Sequence, residues 1–235
     1  GPYERVSMIA HYLKSHKPKS KILVLDAKES FSKQSLFLDG WKKFYAGMVE
    51  WVPSTKDGTV LRVDPKSLEV ETEFGQRHTA AVLNMIPPQK AGLIAERAGT
   101  VDKSGWVPVR AQNFESSLVP GIHVVGDATI AVPMPKSAFC ANAQAKVVAA
   151  AIVSSLAGKA APRASWANTC YSLIAPDYGV SITGVFDVQG DKITEIKAAA
   201  GISPRDADAA FRKREAEYGA SWYKAISMDT WGEVA

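Results

Sequence analysis

The chain carries two thiols, Cys140 and Cys170, and a cysteine thiolate is among the strongest nucleophiles a side chain can offer. Two cysteines cannot make a disulfide scaffold in 235 residues, and neither sits at metal-ligand spacing from a second thiol or a histidine, so no metal site is expected. By residue type alone both read as buried free thiols. A second place for chemistry is Gly126-Asp127-Ala128, which ends the apolar run Ile122-His123-Val124-Val125. Glycine there lets the backbone come close to a ligand, and the carboxylate can accept hydrogen bonds from hydroxyl groups. As an isolated dipeptide Gly-Asp is more often a turn; a strand before it and a helix after it bring the two readings level.

That helix starts after Pro133-Met134-Pro135-Lys136-Ser137. Its first N–H groups and positive dipole end would stabilise negative charge, such as that on a reduced flavin. Lys136, just before it, reads as part of such a site or as a solvated surface lysine. Glu4 reads as a first-turn helix glutamate and Trp222 as a core aromatic on an amphipathic helix. No G-x-G-x-x-G occurs, so a dinucleotide's pyrophosphate would have to be held by residues other than these.

The elements that must position these residues are legible in the periodicity. Val6, Ile9, Ala10 and Leu13 recur at helical spacing between Tyr3 and Leu13, and Pro18 closes that helix. Ile22-Leu23-Val24-Leu25-Asp26 has the continuous apolar character of a buried parallel strand. Thr59 to Asp64 and Leu68 to Glu73 read as a small antiparallel excursion, and Ala80 to Ile86 as a returning strand stopped by Pro87-Pro88. A buried strand is expected at Gly121 to Val125, then a helix from Ala138 to Leu156 ended by Gly158. A Pro/Ala linker follows at Gly158 to Pro162. Three strands are expected at Cys170 to Ile174, Gly179 to Val188 and Lys192 to Lys197. Ser203 and Pro204 supply a cap and first position for a last helix with Phe211, Tyr218, Trp222 and Ile226 on one face.

A hydrophobic content of 46% is ample for a packed core. With 28 Lys+Arg against 24 Asp+Glu and no long basic stripe, nucleic acid is not expected as a partner. The most apolar stretch, Val147 to Leu156, is shorter than the roughly 20 residues a bilayer needs, so no membrane span is expected. No signal peptide is visible after Gly1, and an export signal would lie upstream of it.

Gly1-Pro2-Tyr3-Glu4-Arg5, Lys17-Pro18-Lys19-Ser20-Lys21, Phe31-Ser32-Lys33-Gln34-Ser35, Ile86-Pro87-Pro88-Gln89, Phe114-Glu115-Ser116-Ser117, Gly126-Asp127-Ala128, Pro133-Met134-Pro135-Lys136-Ser137, Asn168-Thr169-Cys170-Tyr171-Ser172 and Ser221-Trp222-Tyr223 resemble the flavoprotein subunit of flavocytochrome c sulfide dehydrogenase. The resemblance implies an α/β fold: part of a glutathione-reductase-like two-dinucleotide-domain flavoprotein with a small C-terminal α+β domain. Residues 1–90 would be an NADH-binding-like domain without a nicotinamide site. Residues 91–160 would be the returning part of the FAD domain, and 161–235 the C-terminal flavin-binding domain. The cofactor implied is FAD, with Gly126, Asp127, Met134, Pro135, Lys136, Ser137, Tyr171 and Trp222 as cofactor-binding residues.

Cys170 would be half of a redox-active disulfide whose partner lies shortly upstream of Gly1, outside this chain, while Cys140 is a packed thiol. Glu4 would be an active-site acid. Sulfide would be the substrate, a c-type cytochrome subunit the electron acceptor, and the periplasm the location. Two other readings are a sulfide:quinone oxidoreductase-like enzyme, against which the charged Arg212-Lys213-Arg214-Glu215 run of the last helix argues, and an inactive structural or cytochrome-docking fragment.

Overall fold

A computed structural model describes residues 1–232 of the chain. They form a mixed α/β protein of two compact units. The first comprises Gly1–Pro87, Tyr171–Val180 and Ser203–Gly219; the second comprises Pro88–Cys170, Ser181–Ile202 and the chain from Ala220.

In the first unit, helix α1 (Pro2–His16) is followed by strand β1 (Ile22–Leu25), helix α2 (Gln34–Phe44) and strand β2 (Val49–Val52). The two strands pair in parallel with Ile22 opposite Val49, so α2 is the crossover of a βαβ unit. Leu36, Phe37, Gly40 and Trp41 are buried on one face of α2, with Ala10, Tyr45, Ile174 and Val180 in the same core. The packing at Gly40 is close: a Cβ there would lie 2.6 Å from the Ile174 side chain, which would have to shift. Strands β3 (Val60–Asp64), β4 (Glu69–Thr72) and β5 (Arg77–Thr79) form the antiparallel excursion.

Ala80 to Ile86 is not a strand, contrary to its apolar composition. A strand needs a neighbour to satisfy its backbone groups, and the β1–β2 sheet among the described residues ends at two strands. Val82 is accordingly 81% exposed.

The second unit opens with helix α3 (Leu93–Arg97) and strand β6 (Val107–Pro108), which pairs in parallel with β7 (Thr129–Ile130). The expected strand at Gly121 to Val125 is reduced to a single bridge at His123, and Gly126–Ala128 forms a 3-10 turn before β7. Helix α4 (Ala138–Leu156) has the predicted limits and buries Cys140, Gln144, Val148 and Ala151. At 19 residues and with this apolarity α4 is also long enough to cross a membrane, a test that core helices pass as well.

Strands β8 (Ser165–Ala175), β9 (Tyr178–Gln189), β10 (Lys192–Glu195) and β11 (Gly201–Ile202) form a four-stranded sheet with β9 paired to all three others. Helix α5 (Ala209–Trp231) ends the described chain. Its cap is Asp208, not Ser203: Asp208 Oδ1 accepts from Phe211 N–H at 2.7 Å. Ser203 instead donates to the buried carboxylate of Glu215 at 2.5 Å. The buried face of α5, with Arg212, Glu215 and Ala216, is turned from the aromatic face expected, on which Phe211, Trp222 and Ile226 are half-buried and Tyr218 is exposed.

Candidate functional site

Cys170 lies on β8, where side chains alternate between the two faces of the sheet. Trp166 and Asn168 share the cysteine's face, and both are buried. The Cys170 thiol is partly exposed, with the Asn168 amide against it: Nδ2 donates to Sγ at 3.3 Å, and Sγ–H can donate to Oδ1 at 3.5 Å. The same Oδ1 accepts from Ser137 Oγ–H at 2.7 Å. Ser137 is the N-cap of α4, and its oxygen accepts from Cys140 N–H at 3.1 Å. One hydrogen-bonded path therefore joins the start of α4 to the sulfur. Asn168 is a site residue that the sequence reading passed over, although its spacing of two from Cys170 on a strand is the signal for a shared face.

The start of α4 also positions the Gly126–Asp127 turn. Gly126 has φ +75° and packs so closely that a Cβ would lie 3.3 Å from that of Ala141. Its N–H donates to Gln144 Oε1 at 2.7 Å, and the other end of that buried amide reaches Met134 Sδ at 3.9 Å. Met134 is therefore part of the core, whereas Pro135 is exposed. Lys136 bonds backwards, to the carbonyls of Asp127 and Thr129, and its ammonium stands 3.7 Å from the Trp106 ring centre. Burial pushes the Lys136 ammonium down and the Asp127 charge opposes that. Through these contacts Lys136 ties the turn together.

The Asp127 carboxylate is exposed and makes no hydrogen bond among the described residues. Trp222 stacks on Phe139, in the first turn of α4, at 6.0 Å and 9° between ring planes. Cys140 is fully buried, which pushes its thiol up.

This donor set fits a flavin. The N–H groups of Ala138 and Phe139, at the first two positions of α4, have no partner within the helix, so they can face a carbonyl or an anionic ring atom. Asp127 offers a free acceptor for hydroxyls, and a glycine in the left-handed region brings the backbone close.

In the first unit, Glu4 is in the first turn of α1, and its Oε1 accepts the Leu173 N–H of β8 at 2.7 Å. Tyr171 lies on the face of β8 opposite to the cysteine's and packs toward Gly219 of α5. Burial, reinforced by Glu215 and Tyr218, raises its hydroxyl. Asp26, the acid that ends β1, accepts from Tyr3 OH at 2.7 Å and from Trp51 Nε1 at 3.1 Å. In a nucleotide-binding βαβ unit such an acid is left for a ribose. Here two of the chain's own side chains take it, and Tyr3 stacks on Phe31 with 3.6 Å between ring centres.

Residues 1–87 match the family model for the sulfide dehydrogenase (flavocytochrome c) flavoprotein chain, central. Residues 162–231 match the model for flavocytochrome c sulphide dehydrogenase, flavin-binding, and the cofactor of that domain is FAD. Among solved structures the chain is similar to a chain of the Tetrahymena thermophila mitochondrial ATP synthase, at 17% identity and a TM-score of 0.60 over 94% of its length. It is also similar to the sulfide:quinone oxidoreductase of the hyperthermophilic bacterium Aquifex aeolicus, at 14% identity and a TM-score of 0.56 over 99% of its length. At these identities the likeness concerns the fold. The chain spans 54% and 59% of the length of those two chains.

Proposed function

We propose, from the premise that this chain belongs to the flavocytochrome c sulfide dehydrogenase flavoprotein family, that it supplies the sulfur-reactive centre of a flavoenzyme oxidising sulfide for a c-type cytochrome in the periplasm. One observation carries this reading: the partly exposed thiol of Cys170 is linked through Asn168 to the open end of α4, where Asp127 and Trp222 also gather. FAD bound there supplies acceptance of two electrons. Asp127 and the N–H groups of Ala138 and Phe139 would hold and polarise it, and Trp222 would cover it. Cys170 would be disulfide-bonded to a second cysteine. Hydrosulfide attack on that S–S bond forms a persulfide and releases one thiolate. Glu4 would manage the proton.

In the same reading the architecture is that of a two-dinucleotide-domain flavoprotein. The chain contributes a partial NADH-like domain over 1–90, part of the FAD domain over 91–160, and a C-terminal flavin-binding domain. The occupation of Asp26 by Tyr3 and Trp51 supports a first domain without nicotinamide. A quinone as acceptor is the second reading, favoured by the exposure of Tyr223, Met228 and Trp231 along α5.

The test is Cys170→Ser in the intact flavoprotein. Sulfide-dependent cytochrome reduction is expected to fall by at least about 10³-fold with the flavin retained. Native turnover in that variant would overturn the reading, and rapid quinone reduction by the unaltered enzyme would favour the second. Protein that binds cytochrome without flavin would instead be a docking module.

A further inference from the structure

We propose, resting on Cys170 as the reacting sulfur, that Asn168 is a positioning residue that transmits the polarity of the α4 N-terminus to that sulfur and favours its anionic form. The path is continuous. Cys140 N–H donates to Ser137 Oγ at 3.1 Å, Ser137 Oγ–H to Asn168 Oδ1 at 2.7 Å, and Asn168 Nδ2–H to Cys170 Sγ at 3.3 Å. Because Ser137 uses its oxygen to cap the helix, its single proton is left for the amide oxygen. This fixes which end of the amide is the carbonyl and turns the N–H end toward the sulfur. Asn168 is 2% exposed, so water does not compete for either end.

The amide can meet the sulfur in both protonation states, but not equally. A neutral thiol is a weak donor to Oδ1, over 3.5 Å. An anionic sulfur accepts a charge-assisted bond from Nδ2, and charge-assisted bonds are roughly twice as strong as neutral ones. The difference favours the anion, which is the form that attacks and leaves in thiol–disulfide exchange. Among the described residues the titratable groups at this end of α4 include Cys140, whose thiol burial pushes up, Asp127, and Lys136, whose ammonium is engaged by backbone carbonyls.

The experiment follows alkylation of Cys170 by iodoacetamide against pH in the thiol-reduced, flavin-loaded protein, quantified by mass spectrometry of its peptide. Asn168→Leu keeps the volume and removes both polar ends. Alkylation at neutral pH should slow by about tenfold, with the profile displaced to higher pH. Asn168→Asp keeps the acceptor for Ser137 but replaces the N–H donor by oxygen, and should move the profile the same way. Ser137→Ala leaves the amide in place and cuts only its tie to the helix, so slowing by about twofold to threefold is expected. It decides the matter even if the Asn168 variants fold poorly. Profiles that superimpose on the native one would overturn the proposal. This readout does not depend on turnover: retained sulfide oxidation in Cys170→Ser would end the functional reading and leave the alkylation profiles standing.

Discussion

Helices α4 and α5 start with the same local device and put it to different ends. In each, the cap's carbonyl accepts the first intrahelical bond, Ala141 N–H to Ser137 and Arg212 N–H to Asp208. In each, the cap's side-chain oxygen accepts the N–H three residues on. The difference is the proton that remains. A serine hydroxyl still has one to give, and Ser137 gives it to Asn168 and so to the sulfur. An ionised aspartate has none, so the polarity of the α5 start ends at its cap. Directly beyond that cap α5 buries a charge pair, Arg212 at 1% and Glu215 at 5% exposure. Arg212 donates to Glu215 at 3.4 Å and to the Pro204 carbonyl at 2.6 Å, and lies over the Tyr178 ring. One helix start passes its polarity on to a second side chain, and the other is closed by a buried ion pair.

The sharpest way to break this contrast is Arg212→Ala. It removes the cation that neutralises the buried Glu215 carboxylate and leaves the Ser203 hydroxyl on it, and denaturant unfolding should show a loss of about 3–5 kcal/mol. A loss below about 1 kcal/mol would mean that the α5 start is not a structural knot. Next in size are the caps. Ser137→Ala and Asp208→Ala should each cost about 1 kcal/mol in thermal or chemical unfolding. Only Ser137→Ala should change Cys170 alkylation, and an equal change in Asp208→Ala would erase the distinction between the two helices.

The smallest expected effect concerns Arg205, in the turn that leads to α5, which bonds the Asp39 carboxylate at 2.5 and 2.8 Å. That hydrogen-bonded guanidinium holds the Asp39 carboxyl below its usual range. The stabilisation is therefore complete above the ordinary aspartate value of about 3.9 and is lost as pH falls through the lowered folded value. Both side chains are exposed, so solvent screens the pair. Asp39→Asn should flatten the acid limb of the stability profile slightly, as followed by circular dichroism.

Elements set by local periodicity were legible in the sequence. The α4 limits follow from an Ala-rich run between Ser137 and Gly158, and β1 from four apolar residues ended by an acid. Elements that need a distant partner were not. Ala80 to Ile86 has the composition of a strand, but composition does not supply the neighbouring ladder. Arg212 and Glu215 sit in a charged run that reads as solvated, because nothing local shows that Ser203 and Tyr178 will close over them. At the site, the Gly126-Asp127 turn, the α4 start and the Cys170 strand were readable as separate pieces. Asn168, which ties the last two together, required knowing that residues 137 and 168 meet.

The burial of Cys140 has a consequence for the stoichiometry of sulfur chemistry. A thiol at 1% exposure, held neutral by its apolar surroundings, is a poor target for oxidants and electrophiles. Of the chain's two thiols, only that of Cys170 would then take up a sulfane atom or a covalent probe in the proposed reaction. Any titration of these sulfurs should saturate at one equivalent per polypeptide, and an isotope-labelled sulfur atom found on this chain has a single address.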